Sequence, residues 1–176
     1  VELDAVGRAQ AMAMASRVAL LAPGVLLSSP LVRARETADA LASATGLEVV
    51  VDSRLAEINV GSWAGKRMED AAAEVPEFYE WLRAGVAFRR SPTGETATEA
   101  GSRVASALQE AAEANAGGVT AVVGHGLAMR MAILQLVGWD MVSGLALSGL
   151  WNASWSVLEL RDRWRILSYN NVVPEA

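Results

Sequence analysis

Apolar residues in this chain fall into short continuous runs separated by longer stretches with helical spacing, the alternation expected of strands joined by helices. Residues 4–21 carry Val6, Ala9, Met12, Ala13 and Val18 at that spacing and stop at Ala22-Pro23-Gly24, which predicts a helix closed by a turn. Val25-Leu26-Leu27 predicts a strand. Ser28-Ser29-Pro30 then predicts a helix reaching about residue 44, with Ser29 as N-cap and Pro30 in the first helical position. A second strand is expected over residues 47–51, opening into an irregular stretch at 52–66, followed by two short helices at 67–74 and 76–84. Phe78, Trp81 and Leu82 make an apolar stripe that suits core better than a pocket wall. Thr96-Ala97-Thr98-Glu99 has capping-box spacing at the head of a helix reaching about residue 114. Residues 119–123 form a third strand and 127–137 a helix, while 153–160 and 164–169 read as a closing hairpin. Residues 139–150 fit neither pattern. Strand-helix-strand order of this kind predicts a parallel sheet with right-handed crossovers.

Composition narrows the classes of function. A chain of 176 residues, 52% of them hydrophobic, fits one domain (residues 1–176) with a sizeable core. Lys+Arg 15 against Asp+Glu 20 gives a net charge of −5, with no basic patch interleaved with aromatics, so nucleic acid is not an expected partner. There are no cysteines, which excludes disulfides and thiolate chemistry, and a lone histidine makes a metal site improbable. The longest uncharged run, residues 141–158, contains serines, an asparagine and two tryptophans and does not read as a membrane span. A soluble, cytoplasmic protein is expected.

The one histidine is the natural focus. Val122-Val123-Gly124-His125-Gly126 reads as buried strand, tight turn and helix start, which puts His125 at the carboxyl edge of a sheet and beside the free N–H groups of a helix N-terminus. Read in isolation, His125 is equally a turn histidine bonded to neighbouring backbone. A second junction of the same kind, Leu27-Ser28-Ser29-Pro30, is followed by Arg33. In a parallel sheet both junctions share one edge, so Arg33, which alone would be an exposed helix charge, comes within reach of the same anionic ligand as His125.

These residues carry a resemblance. Ser28-Ser29-Pro30-Leu31-Val32-Arg33-Ala34 with Glu36-Thr37-Ala38 resembles a segment of the histidine phosphatase superfamily, also called phosphoglycerate mutase-like. So do Asp52-Ser53-Arg54-Leu55-Ala56-Glu57 with Gly61-Ser62-Trp63-Ala64-Gly65, the loop Pro92-Thr93-Gly94-Glu95-Thr96, the Val123-Gly124-His125-Gly126 stretch, and Leu3 with Gly7, Gln10 and Ala11. The resemblance implies a three-layer α/β/α sandwich around a mostly parallel sheet, and phosphoryl transfer through a phosphohistidine with no cofactor and no metal. It maps Arg33, His125 and Gly126 to phosphate binding, and His125 and Glu57 to catalysis, Glu57 as the acid that protonates the leaving oxygen. Without the motif Glu57 would be read as a solvated loop carboxylate. Trp63, Trp81, Glu95 and Leu127 are expected to line the substrate pocket.

The family's nucleophile lies in an Arg-His-Gly segment on its first strand, and these 176 residues contain no such segment. His125 matches the second histidine motif instead. The expectation is that the native gene encodes roughly 20 to 40 further residues upstream, including that strand. The function expected is hydrolysis of small phosphate monoesters, with the small phosphorylated substrate as partner and a homodimer as a possible assembly. The alternatives are a phosphoglycerate-type mutase and a noncatalytic binder of phosphorylated ligands. An unrelated nucleotide-binding domain ranks below these, since no glycine-rich phosphate loop supports it. Leu127-Ala128-Met129-Arg130 after the histidine, and the short stretch between Gly65 and Pro92, favour hydrolysis over the mutase.

Overall fold

In the computed structural model, which describes residues 1–174, three short strands form a parallel sheet: β1 (Val25–Ser28), β2 (Val49–Val51) and β3 (Thr120–Val123). Their order is β2-β1-β3, with Leu26 level with Val49 on one side and Ala121 on the other. Two further strands, β4 (Trp155–Leu160) and β5 (Trp164–Asn171), pair antiparallel as the expected hairpin. They form a separate sheet.

Alternation along the strands sets the layers. Leu26 and Ala121 point into a core made with Met14, Ala15 and Val18 of helix α1 (Ala5–Val18) and Leu41 of α2 (Val32–Thr45). Leu27 and Val122 point the other way, against Val104, Ala107, Ala128 and Ala132 of α5 (Ala97–Ala114) and α6 (Gly126–Leu136). This is the three-layer arrangement the family resemblance implied. Between β2 and α5 in the chain come α3 (Met68–Ala72) and α4 (Phe78–Ala84), short helices around a separate cluster of Trp63, Phe78 and Phe88. No helix among the described residues is long and apolar enough to cross a membrane.

Local chemistry explains most boundaries. Asp4 caps α1 by accepting the Gly7 N–H at 2.7 Å, and the capping box at the head of α5 is complete, Thr96 and Glu99 each bonding the other's backbone N–H. α5 and α6 pack closely because Gly101 has no side chain, a Cβ there falling 2.6 Å from that of Met131.

Two expectations are corrected. The buried face of α1 is Ala11, Met14, Ala15 and Val18, while Val6 and Met12 are exposed. In so alanine-rich a helix the larger side chains do not by themselves mark the inner face, since Met14 and Val18 are buried beside Ala11 and Ala15 while Val6 and Met12 are not. α2 begins at Val32, with extended Leu31 in the N-cap position, so Pro30 lies outside the helix and Ser29 does not cap it. The expected hairpin stands apart from the parallel sheet: the second edge of β3 and the outer edge of β4 are both unpaired among the described residues. The start of the hairpin nevertheless packs, through Ala153 and Trp155, on the same α1–α2 core as β3. Trp164 reaches the opposite layer, donating its indole N–H to Gln109 of α5 at 2.6 Å.

Candidate active site

Both strand-helix junctions end on the same edge because β1 and β3 run in register, Ser28 opposite Val123. The ladder continues one step further, the Ser29 N–H bonding the Val123 carbonyl, and this brings Ser29 alongside His125. Ser29 Oγ lies 2.7 Å from His125 Nε2, and both residues are buried, His125 to 7% exposure. Ser29 Oγ also accepts the Leu31 N–H at 3.2 Å, which accounts for the late start of α2: the hydroxyl serves a turn and the imidazole instead of a helix end. Its own proton is then free to go to Nε2, an arrangement that favours the ring N–H on Nδ1.

Charge around the imidazole is asymmetric. Burial first, and then the nearby positive charge of Arg33, push His125 down to about 4, with Glu57 pulling the other way and Arg103 adding to the fall. The ring is neutral at physiological pH. Arg33, on the second residue of α2, is half-buried and forms neither an ion pair nor a side-chain hydrogen bond among the described residues. A fixed guanidinium beside a neutral imidazole, with no protein anion between them, is an opening for an anionic ligand.

Glu57 arrives from the irregular stretch after β2. Its carboxylate accepts the Ala128 N–H at 3.0 Å and the Leu127 N–H at 3.3 Å at the start of α6, and the Ile58 N–H at 2.8 Å. Those are two of the N–H groups that a helix N-terminus leaves without an intrahelical acceptor, and the Gly126 N–H is another. Glu57 is therefore held at the N-terminus of α6, two and three residues along the chain from His125, where the helix dipole favours a negative charge.

The loop is held in place by Arg103 of α5. Its guanidinium donates to the carbonyls of Arg54, Ala56 and Glu57 at 2.6–2.8 Å and forks onto Glu95, with Nε–Oε1 at 2.8 Å and Nη2–Oε2 at 2.9 Å. Glu95 also accepts the Asn59 N–H. Its carboxylate is thus committed to Arg103 and supports the Glu57 loop. Close approach of the 59–62 and 91–94 loops also depends on Gly61 at φ +56°, where a Cβ would fall 2.5 Å from the Gly94 nitrogen.

Of the other pocket residues expected, Leu127 lines a cleft beside α6. Trp63 is buried with Phe78, its indole N–H on Glu74 at 2.8 Å, and Trp81 packs against Phe88 in the same cluster, so neither is among the residues that line that cleft. Sequence reasoning missed Ser29's contact with the imidazole, and it missed Arg103. The repeated serine before Pro30 was the available sign of the first.

Comparison with known proteins gives the family. The family model for the histidine phosphatase superfamily (branch 1) matches residues 1–172. The chain belongs to that superfamily. Among relatives, it is 35% identical over 136 residues to the probable phosphoglycerate mutase GpmB of Yersinia enterocolitica and 32% identical to the protein of the same name in Escherichia coli; each match covers 77% of this chain and 63% of the relative. Thus the matched region spans less than two thirds of the length of those relatives. Of solved structures, "Mycobacterial hydrolase 1" superposes with a TM-score of 0.88 at 29% identity, covering 98% of this chain and 87% of that one. Mycobacterial glucosyl-3-phosphoglycerate phosphatase, in complex with inorganic phosphate, superposes with a TM-score of 0.86 at 31% identity, covering 97% and 88%.

Proposed function

We propose that this protein is a metal-independent phosphomonoester hydrolase of the cytoplasm that acts through a phosphohistidine on small phosphorylated metabolites. The observation that carries the reading is the group at the carboxyl edge of the sheet: neutral His125 on Ser29, unpaired Arg33, and Glu57 at the N-terminus of α6. Arg33, His125 and the Gly126 N–H would bind the equatorial oxygens of the transferring phosphoryl group, and Glu57 would protonate the leaving oxygen. That the mycobacterial neighbour is a phosphatase seen with inorganic phosphate supports the same reading.

His125 is poorly placed to be the nucleophile, since its Nε2 is engaged by Ser29 in a buried position. The attacking histidine of the family belongs on a strand of its own. Two facts support a place for that strand here: the free edges of β3 and β4, and the packing of both on the α1–α2 core and on α5 with no ladder joining them. A strand between them would pair both edges and make one continuous sheet.

The test is phosphate release from p-nitrophenyl phosphate by the complete native protein, with and without a chelator. Turnover that survives the chelator supports the reading, and its abolition would refute it. Parallel incubation with 3-phosphoglycerate distinguishes the mutase, which would produce 2-phosphoglycerate faster than free phosphate.

A further inference from the structure

The pairing of β4 with β5 slips by one residue between Trp155–Asn171 and Val157–Ser168, so that Tyr169 and Asn170 together stand opposite Ser156. This is a β-bulge, a device that re-aims a side chain away from the ladder. Asn170 absorbs the extra residue in the left-handed region, at φ +56°, and Ala153, just ahead of β4, is left-handed too, at φ +49°. Asparagine tolerates that conformation because its short amide can bond locally, whereas alanine gains nothing from it. Strain of this kind persists only where the surroundings over-determine the backbone.

The Asn170 side chain supplies much of that determination. Its Oδ1 accepts the Trp151 N–H at 2.9 Å, and its Nδ2 donates to the Ser148 hydroxyl at 3.1 Å and to the Gly149 carbonyl at 3.0 Å. All three bonds leave the hairpin for one loop, residues 148–151. The same segment is tied down by the Tyr169 hydroxyl, which donates to the Ser148 carbonyl at 2.7 Å, and by Arg130 of α6, whose Nη2 donates to the Gly144 and Leu147 carbonyls at 2.6 and 2.9 Å. Asn171, next along, differs: its amide stays inside the hairpin, on the Trp155 carbonyl and the Ser168 hydroxyl.

The loop so held reaches the phosphate site. Beside Gly126, the first residue of α6, the nearest atom from elsewhere in the chain to where a Cβ would stand is the Leu150 carbonyl oxygen, 3.7 Å away. The loop is therefore the wall next to one of the N–H donors assigned to phosphate. A fixed wall keeps water off such a donor and strengthens its hold on an anion; a loose one lets water compete.

We infer that Asn170 is a positioning residue of the phosphate site: it clamps the 148–151 loop, which closes the Gly126 side of the site against water. The inference rests on the reading of that site as one for a phosphoryl group, and the two are tested separately.

The probe is inorganic phosphate, titrated by calorimetry into the complete native protein. Asn170→Gly keeps the left-handed turn but removes the clamp, and should bind phosphate about tenfold more weakly. Asn171→Ala removes bonds that stay within the hairpin and should leave the affinity unchanged. Hydrogen exchange on the wild type gives a reading that needs no variant to fold. Because coupling between sites is reciprocal, phosphate should slow exchange of the amides at residues 148–151, and Asn170→Gly should lose that protection. Undiminished affinity in Asn170→Gly, an equal loss in Asn171→Ala, or wild-type loop exchange indifferent to bound phosphate would overturn the inference. The expected losses in a protein that hydrolyses no phosphate ester would overturn the phosphatase reading alone, and failure of the wild type to bind phosphate would overturn both.

Discussion

Ser29 and His125, 96 positions apart in sequence, share a buried 2.7 Å hydrogen bond that exists because β1 and β3 end level with one another. The contact orients the imidazole before any ligand arrives. Removing the hydroxyl should therefore lower catalysis without removing the anion site. Ser29→Ala is expected to reduce kcat/KM for an aryl phosphate on the order of tenfold, while Arg33→Ala and His125→Ala each cost a hundredfold or more. Steady-state kinetics on the three variants checks the ranking.

Glu57 should reveal its role through the leaving group. An alkoxide needs a proton as it departs and a nitrophenolate does not, so Glu57→Gln should depress hydrolysis of an alkyl phosphate far more than that of p-nitrophenyl phosphate. Full activity of the variant on the alkyl ester would remove Glu57 from the mechanism.

Burial of a neutral imidazole makes stability depend on pH. Above about pH 6.5 neither the folded nor the unfolded chain protonates this residue. Below it the unfolded chain takes up a proton that the folded one refuses until about pH 4. Stability should accordingly fall as pH drops through that window, and the part due to His125 should level off below it. Urea midpoints of wild type and His125→Asn at pH values across the window measure this, the variant showing the shallower slope. Parallel slopes would contradict the assignment.

Arg103 is a positioning residue, and breaking it should affect both fold and rate. Arg103→Met removes three bonds to loop carbonyls and strands Glu95, a loss of about 2–4 kcal/mol. Well below its melting temperature the variant should show a reduced kcat with KM for the aryl ester little changed. Arg103→Lys should recover only part of it, because an ammonium cannot serve the carbonyls and the carboxylate in one plane.

Much of this was legible in the residues. The two junctions could be read because strand, turn and helix starts are written in local residue types, and a parallel sheet then puts them on one edge. The capping box of α5 was legible for the same reason. What escaped was whatever depends on distant partners. Arg103 binds carbonyls 46 to 49 positions away, and a carbonyl has no residue type. Glu95 sits in a motif loop and so looked like a pocket residue until its guanidinium partner was seen.

The Glu95 bridge has one more consequence. The Arg90 N–H bonds the Glu95 carbonyl at 3.1 Å, the Glu95 carboxylate holds Arg103, and Arg103 holds the Glu57 carbonyl. The backbone at Arg90 and the Glu57 loop are thus braced by one crosspiece, Glu95 with Arg103. A frame tied in this way moves as one piece, so a change that loosens Glu95 is felt at the Glu57 loop and at the Arg90 backbone together.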